Sequence, residues 1–134
     1  MRKEKILIVE DNPDCREILT LYLQHMGYQT LAARNGERSI ACSLAEHPDL
    51  ILIDLSLPDM SGIQAASIIK QNPGTSRIPI VAVTAWDTAI WKERAIKAGI
   101  TKYLVKPVSP LILKETIEEL TQHSARPASG GPAR

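Results

Sequence analysis

One carboxylate closes an apolar run in the segment LILIDLSLPDMSG, residues 50–62. Aliphatic residues precede Asp54, and a stretch with proline, serine and glycine, typical of a turn, follows it. A charged group next to a buried apolar chain costs free energy unless a partner compensates it. Asp54 is therefore a candidate for chemistry, and the rest of the sequence has to supply its partners.

Other short apolar runs are also followed by, or end in, side chains that can bind a metal ion or take part in a reaction. Glu10 and Asp11 follow KILIV, Thr84 ends IPIVAVT, and Lys106 follows KYLV. Three carboxylates close together repel one another and raise their pKa values, and Mg²⁺ relieves this repulsion because it accepts one or two carboxylates with waters and phosphate oxygens. A nucleophilic carboxylate beside a hydroxyl, an ammonium and Mg²⁺ suits in-line phosphoryl transfer.

The segments that position these residues alternate between two periodicities. Short runs rich in Ile, Val and Leu predict strands, and longer segments with apolar residues at helical spacing predict helices. The strands are predicted at 5–9, 28–33, 50–54, 78–84 and 102–105, and the helices at about 13–26, 36–46, 62–71, 88–98 and 110–123.

This βα alternation predicts an α/β, flavodoxin-like, doubly wound fold with a five-stranded parallel sheet of order 2-1-3-4-5. Strands 1, 3, 4 and 5 are then neighbours. Their carboxyl ends share one edge of the sheet, so the carboxylates, the hydroxyl and the ammonium should meet there.

Composition sets the limits of the domain. The 134 residues are 44% hydrophobic and 23% charged, which predicts one domain over residues 1–123. Residues 124–134 are rich in Ala, Gly, Pro, Ser and Arg and are predicted to be a disordered tail.

Cys15 and Cys42 are predicted to be reduced, apolar fillers of helices, since two cysteines form no disulfide framework or metal cluster.

Charge and hydropathy exclude other classes. The formal net charge of +1 gives no argument for direct binding of nucleic acid or of a membrane surface. The sequence shows neither a run long enough to span a membrane nor a signal peptide, so we expect a cytoplasmic protein.

Four motifs together carry a resemblance to a known family. VEDN, LIDLSLPDMSG, VAVTA and YLVKP, in this order over about residues 4–122, resemble those of the receiver domain of two-component response regulators, in particular the chemotaxis-type, single-domain members. The resemblance implies a phosphorylation-dependent switch of a two-component or phosphorelay system. A histidine kinase or histidine phosphotransfer protein would donate the phosphoryl group, and altered protein–protein binding would be the output.

The resemblance also implies roles for the residues at the strand ends. Asp54 matches the phosphoacceptor. Asp11 and Asp54 would bind Mg²⁺ with the backbone carbonyl of Ser56, and Glu10 would act mostly through a metal-bound water. Lys106 would pair with Asp54 before phosphorylation and with a phosphoryl oxygen afterwards.

Further positions match the parts of this family that move or tune the reaction. Thr84 would bond another phosphoryl oxygen and move inward, and Tyr103 matches the switch aromatic that then turns inward. The Lys106–Pro107 peptide bond matches one that is usually cis in the family, in keeping with the general link between cis bonds and proline.

Side chains at the positions of Ser56 and Trp86 tune hydrolysis of the phosphoryl group in this family. We hypothesise that Trp86 shields that group from water; the alternative is an exposed loop tryptophan that contacts a partner. Trp91 is predicted to lie on helix 4, and aromatic residues suit interfaces. The resemblance implies that the face formed by helix 4, strand 5 and helix 5 carries target contacts in a monomer or weak dimer.

Two other functions fit the residues less well. A Mg²⁺-dependent phosphatase or phosphotransferase that acts on small molecules through an aspartyl phosphate is the alternative, but the haloacid-dehalogenase pattern needs a second Asp where Ser56 stands. A flavodoxin needs a Ser/Thr/Gly-rich phosphate loop where this chain has EDNPDC. We therefore expect no enzyme with a separate substrate, but a self-catalysed phosphoacceptor that can hydrolyse its own phosphoryl group.

Asp59 is predicted to bond the backbone of its own turn.

Overall fold

The computed structural model describes residues 3–125, and these residues alternate between strands and helices along the chain. The strands are β1 Lys5–Val9, β2 Gln29–Ala33, β3 Leu50–Ile53, β4 Ile80–Thr84 and β5 Lys102–Val105. The helices are α1 Pro13–His25, α2 Gly36–Glu46, α3 Gly62–Gln71, α4 Ala89–Lys97 and α5 Pro110–Ala125.

All strand pairs are parallel, and the sheet order is β2-β1-β3-β4-β5. The predicted α/β, doubly wound fold is therefore confirmed. The predicted start of the fourth strand at residue 78 is too early, because Pro79 has no N–H for the ladder and β4 begins at Ile80. Helix α5 continues to Ala125, past the predicted end at residue 123. Residues 126–134, most of the predicted tail, lie outside the described residues.

The central strands are buried on both faces, which explains their continuous apolar runs. In β3, Ile51 and Ile53 join one core with α3 and α4, whereas Leu50 and Leu52 join a second core with α1 and α5. A shift of one residue would exchange these two sets between the cores, so the fit of the side chains in each core holds the register. In the described part of the chain, no helix is long and apolar enough to span a membrane.

Helix starts are fixed by side-chain caps, with one exception. The side chains of Asn12, Asn35 and Ser61 each accept a hydrogen bond from the backbone of the first turn of α1, α2 and α3. Thr88, at the start of α4, makes no such bond. The entry into α4 is thus less firmly held by capping than those three helix starts.

Asp59 does more than the predicted local turn bonding. Its carboxylate oxygens accept hydrogen bonds from the N–H groups of Gly36 at 2.8 Å and Glu37 at 2.9 Å, the first two residues of α2. The bond from Gly36, followed by that from Glu37, lowers the pKa of Asp59. The loop after β3 is therefore tied to a helix more than twenty residues earlier in the chain.

Candidate functional site

Asp54 directly follows β3 and lies at the carboxyl edge of the sheet. The residue is 8% exposed, and its N–H donates to the Val9 carbonyl of β1 at 2.9 Å. Behind it, a Cβ on Gly62 would lie 2.3 Å from the Asp54 carbonyl oxygen, so only glycine allows α3 to start this close. The backbone of Asp54 is therefore clamped between β1 and α3.

Two hydrogen bonds orient the Asp54 carboxylate. Its Oδ1 accepts the N–H of Ser56 at 3.1 Å, and its Oδ2 accepts Lys106 Nζ at 3.0 Å. Lys106 follows β5, where its own N–H donates to the Thr84 carbonyl at 2.8 Å. The predicted pairing of Lys106 with Asp54 is thus present in the structure, and the Lys106–Pro107 peptide bond is cis.

Lys106 also binds Glu10, and this contact is the shorter one. Its Nζ lies 2.6 Å from Glu10 Oε1, while Glu10 Oε2 accepts the N–H of Asn12 at 3.1 Å. Glu10 is 3% exposed, so its charge is compensated almost wholly by these partners. Sequence reasoning placed Glu10 only at a metal-bound water and did not foresee this ion pair.

Burial and hydrogen bonding shift the pKa values of Glu10 and Lys106. Burial raises the pKa of Glu10, and the hydrogen bond from Lys106 opposes this change. Burial by itself would lower the pKa of Lys106, but the hydrogen bonds to Glu10 and Asp54 outweigh it and raise that pKa. Two buried carboxylates thus share one ammonium, which leaves a net negative charge at the site.

Asp11 differs from the two buried carboxylates in its exposure. It is exposed, and Arg16, one helical turn into α1, donates from Nη1 to the Glu10 carbonyl at 2.8 Å and to the Asp11 carbonyl at 3.3 Å. Sequence reasoning missed Arg16; its place in the first turn after Asn12 was the available signal.

The described residues hold no group of three His, Cys, Asp or Glu side chains arranged for a metal ion. The predicted carboxylates Glu10, Asp11 and Asp54 therefore do not form a closed cage. Mg²⁺ keeps several waters and needs only one or two carboxylates. Hard oxygen donors with an excess negative charge fit this ion.

Thr84 ends β4 and is fully buried. Its Oγ1 accepts the N–H of Trp86 at 3.3 Å, which leaves the hydroxyl proton able to donate elsewhere. The Tyr103 hydroxyl donates to the Trp86 carbonyl at 2.6 Å, and burial raises the pKa of Tyr103. The backbone of Trp86 therefore links the threonine and the tyrosine predicted to move together.

The two tryptophans form a pair that the sequence did not reveal. The rings of Trp86 and Trp91 lie 4.5 Å apart between centroids at an angle of 38°. Both residues are half-buried, and Trp86 packs against the core that contains β3 and α3. Arg94 lies over Trp91 at 5.2 Å, and Lys92 lies over the Tyr103 ring at 5.9 Å and pairs with Asp87 at 3.2 Å.

The comparisons with known proteins agree with this geometry. A family model of the response regulator receiver domain matches residues 6–118. The chain belongs to this family. It is a phosphoacceptor signalling switch of the two-component type, and the small-molecule phosphatase is not favoured.

Single-domain regulators and receiver structures are among the similar proteins. Protein PilH of Pseudomonas aeruginosa is 37% identical over 113 residues, which cover 84% of this chain and 93% of PilH. The polar-differentiation response regulator DivK of Brucella ovis is 33% identical over 115 residues, 86% of this chain and 94% of DivK.

Among solved structures, the receiver domain of the sensor histidine kinase PA1611 of Pseudomonas aeruginosa has a TM-score of 0.85 at 28% identity and covers 90% of this chain and 99% of that domain. That structure holds a magnesium ion coordinated in its active-site cleft.

Proposed function

We propose that Asp54 is the phosphoacceptor of this chain and that a histidine kinase or histidine phosphotransfer protein is its donor. The observation that carries the proposal is the Asp54 carboxylate, buried at the edge of the sheet with Lys106 Nζ at 3.0 Å from Oδ2. A carboxylate held in this way, in a receiver domain, is the group best placed to attack phosphorus.

In the reaction, one Asp54 oxygen forms a bond to phosphorus while the bond from phosphorus to the donor's histidine nitrogen breaks, and that nitrogen keeps the electron pair. Lys106 compensates Asp54 before the reaction and is placed to compensate a phosphoryl oxygen afterwards. The hydroxyl of Thr84 can donate to another phosphoryl oxygen. Positioning and charge compensation are the main contributions a protein makes to this kind of transfer.

We assign the Mg²⁺ ligands to the carboxylates of Asp54 and Asp11 and the backbone carbonyl of Ser56, with Glu10 acting mostly through a water. Mg²⁺ would supply charge neutralisation of the phosphoryl oxygens. The magnesium in the PA1611 receiver domain and the two carboxylates of this chain that lie against Lys106, those of Glu10 and Asp54, support the assignment.

The switch itself is proposed to run through residues on β4 and β5. Thr84 moves toward the phosphoryl group, and Tyr103 turns inward as it leaves the Trp86 carbonyl. Ser56, which is exposed beside Asp54, and Trp86 tune the lifetime of the phosphoryl group. The hydrogen bonds that join Thr84, Trp86 and Tyr103 support this coupling.

The output is proposed to be binding of a target protein on the face formed by α4, β5 and α5, in a cytoplasmic monomer or weak dimer. Ile90 and Leu111, at the starts of α4 and α5, are 53% and 63% exposed and support such a contact. The domain would span residues 1–123 and act as a self-catalysed phosphoacceptor rather than on a separate substrate.

Intact mass spectrometry after incubation with Mg²⁺ and acetyl phosphate tests the acceptor. We expect one phosphoryl adduct in the wild type, none in Asp54→Asn, and an unchanged adduct in Asp59→Asn, the matched control in the same loop. Chelation of Mg²⁺ should remove the adduct. An adduct that persists in Asp54→Asn assigns a different nucleophile, and the lack of one even with a phosphorylated histidine phosphotransfer protein would overturn the proposal.

A further inference from the structure

The small net charge of the chain conceals an uneven distribution among its helices. Helices α3 and α4 together carry four basic residues, Lys70, Lys92, Arg94 and Lys97, against one acidic residue, Glu93. Each of α1, α2 and α5 carries more acidic than basic residues. The α3–α4 side is therefore the side of the molecule that attracts a negatively charged partner.

A groove of about 500 Å³ runs between α3 and α4 on this side. Arg94 and Lys97 line it from α4, and Ile63, Ser67 and Ile68 line it from α3. Ile68 is 40% exposed although it is aliphatic. None of the described residues that line the groove is acidic, so cationic and apolar surfaces meet there without an internal counter-charge.

The other two basic side chains of these helices are engaged elsewhere. Lys70 donates from Nζ to the carbonyls of Ser76 and Ile78, and Lys92 pairs with Asp87. The positive charge presented to the groove therefore comes from Arg94 and Lys97. These two residues are three positions apart on one face of α4, a rise of about 4.5 Å.

We propose that this groove binds an acidic, amphipathic segment of a partner protein. Two carboxylates spaced by three or four positions on a helical segment would match Arg94 and Lys97, and apolar side chains of the same segment would cover Ile63 and Ile68. A nucleic acid is disfavoured, since its affinity comes from several phosphate contacts and the groove offers two cations. A membrane surface is disfavoured because Ser67 and its polar neighbours interrupt the apolar wall.

Both walls of the groove are tied to the acceptor site. Ser61, which lines the groove and caps α3, forms a β-bridge with Ser56. On the other wall, Trp91 of α4 stacks on Trp86, whose N–H binds Thr84. Phosphorylation and partner binding should therefore alter each other's free energy. This coupling rests on the proposed function, whereas the docking of the partner segment is independent of it.

The test uses a capped synthetic peptide of glutamate, alanine and leucine, about twelve residues long so that it spans the helices, with leucines at helical spacing. A peptide with glutamine in place of glutamate is its neutral counterpart. Binding is measured by calorimetry and located by amide chemical shifts in the full chain. The variants are Lys97→Glu and the matched control Lys114→Glu, which makes the same charge change at an exposed position on α5.

We expect the acidic peptide to shift amides of α3 and α4, Lys97→Glu to weaken it about tenfold at low salt, and Lys114→Glu to have less than about a twofold effect. Equal binding of the neutral peptide, shifts elsewhere, equal effects of the two variants, or no binding would overturn the proposal. Tighter binding of a DNA duplex or of anionic phosphatidylglycerol vesicles through Lys97 would overturn the choice of a protein segment.

Repeating the titration with Mg²⁺ and acetyl phosphate separates the two proposals. A change in peptide affinity in the wild type but not in Asp54→Asn supports the coupling, and unchanged affinity in protein shown by mass to be phosphorylated overturns it. If no phosphoryl group is taken up from acetyl phosphate or from a phosphorylated histidine phosphotransfer protein but the peptide still binds through Lys97, the docking stands and the proposed acceptor fails.

Discussion

Replacement of Lys106 by methionine tests the charge arrangement at the site most directly. Methionine keeps much of the length of the lysine stem but removes the ammonium that lies 2.6 Å from Glu10 and 3.0 Å from Asp54. The side chains of the two acids are only 4% and 10% exposed, so both carboxylates would be left buried without their counter-charge. We expect the variant to fold with reduced stability.

The size of the effect follows from the burial of the three groups. Loss of one partner from a fully buried ion pair costs about 3–5 kcal/mol. Because the Lys106 side chain is 23% exposed, water screens part of its interaction, and we place the loss in free energy of unfolding at about 2–3 kcal/mol. The matched control is Lys102→Met on β5, whose ion pair with Glu119 is longer and exposed and should change stability by less than about 0.5 kcal/mol.

The loss should depend on pH. Since the pKa of Lys106 is raised in the fold, its stabilisation is present below the unfolded pKa of about 10.4 and fades only as the pH rises through the folded value. In the variant, the pKa of Glu10 rises further because the opposing hydrogen bond is gone. A fold that contains a carboxyl with a raised pKa becomes more stable as the pH falls, because that carboxyl takes up a proton more readily than in the unfolded chain. The stability deficit of the variant relative to the wild type should therefore shrink from about pH 8 toward about pH 5.

Urea unfolding followed by far-ultraviolet circular dichroism, in EDTA, measures these differences. The double variant Glu10→Gln/Lys106→Met should lose less relative to Glu10→Gln than Lys106→Met loses relative to the wild type, since one uncompensated charge is removed. Equal losses in the two backgrounds, or a deficit that grows as the pH falls, would refute the reasoning.

Three further predictions follow from single contacts. Gly62→Ala should lower the free energy of unfolding by about 2–3 kcal/mol in urea, because its Cβ would strike the Asp54 backbone. Gly74→Ala is the control for the loss of a glycine, because its Cβ would meet only the side-chain oxygen of Asn72, at 3.3 Å. Asp59→Asn should reduce stability at neutral pH, and this loss should shrink as the pH falls below about 3.9, the pKa of an unfolded aspartate, because the hydrogen bonds that lower the pKa of Asp59 favour its ionised form; a loss independent of pH would contradict this. Trp86→Ala should speed loss of the phosphoryl group followed by mass, and an unchanged rate would rule out shielding.

Sequence reasoning succeeded where local chemistry decides the structure. The aliphatic runs of β1, β3 and β4 need burial on both faces, and the parallel order then brings Asp54, Thr84 and Lys106 to one edge. These features depend on spacing along the chain, which the sequence displays directly.

The remaining features depend on side-chain geometry between distant elements. The bond of Asp59 to α2 joins residues 22 and 23 positions apart, and the contact of Lys106 with Glu10 joins residues 96 apart. Whether Lys106 contacts Glu10, Asp54 or both depends on rotamers and on tenths of an ångström. The stacking of Trp86 on Trp91 likewise depends on how the loop enters α4, where Thr88 supplies no cap.

The paired tryptophans give the chain a reporter of its own. They are the only two tryptophans in the sequence, and they stand side by side just beyond Thr84. Intrinsic fluorescence excited at the red edge of the indole band therefore comes from one place, free of signal from elsewhere in the fold. A rearrangement of this loop will alter the emission of both rings together, so the state of the chain can be followed in real time without a label.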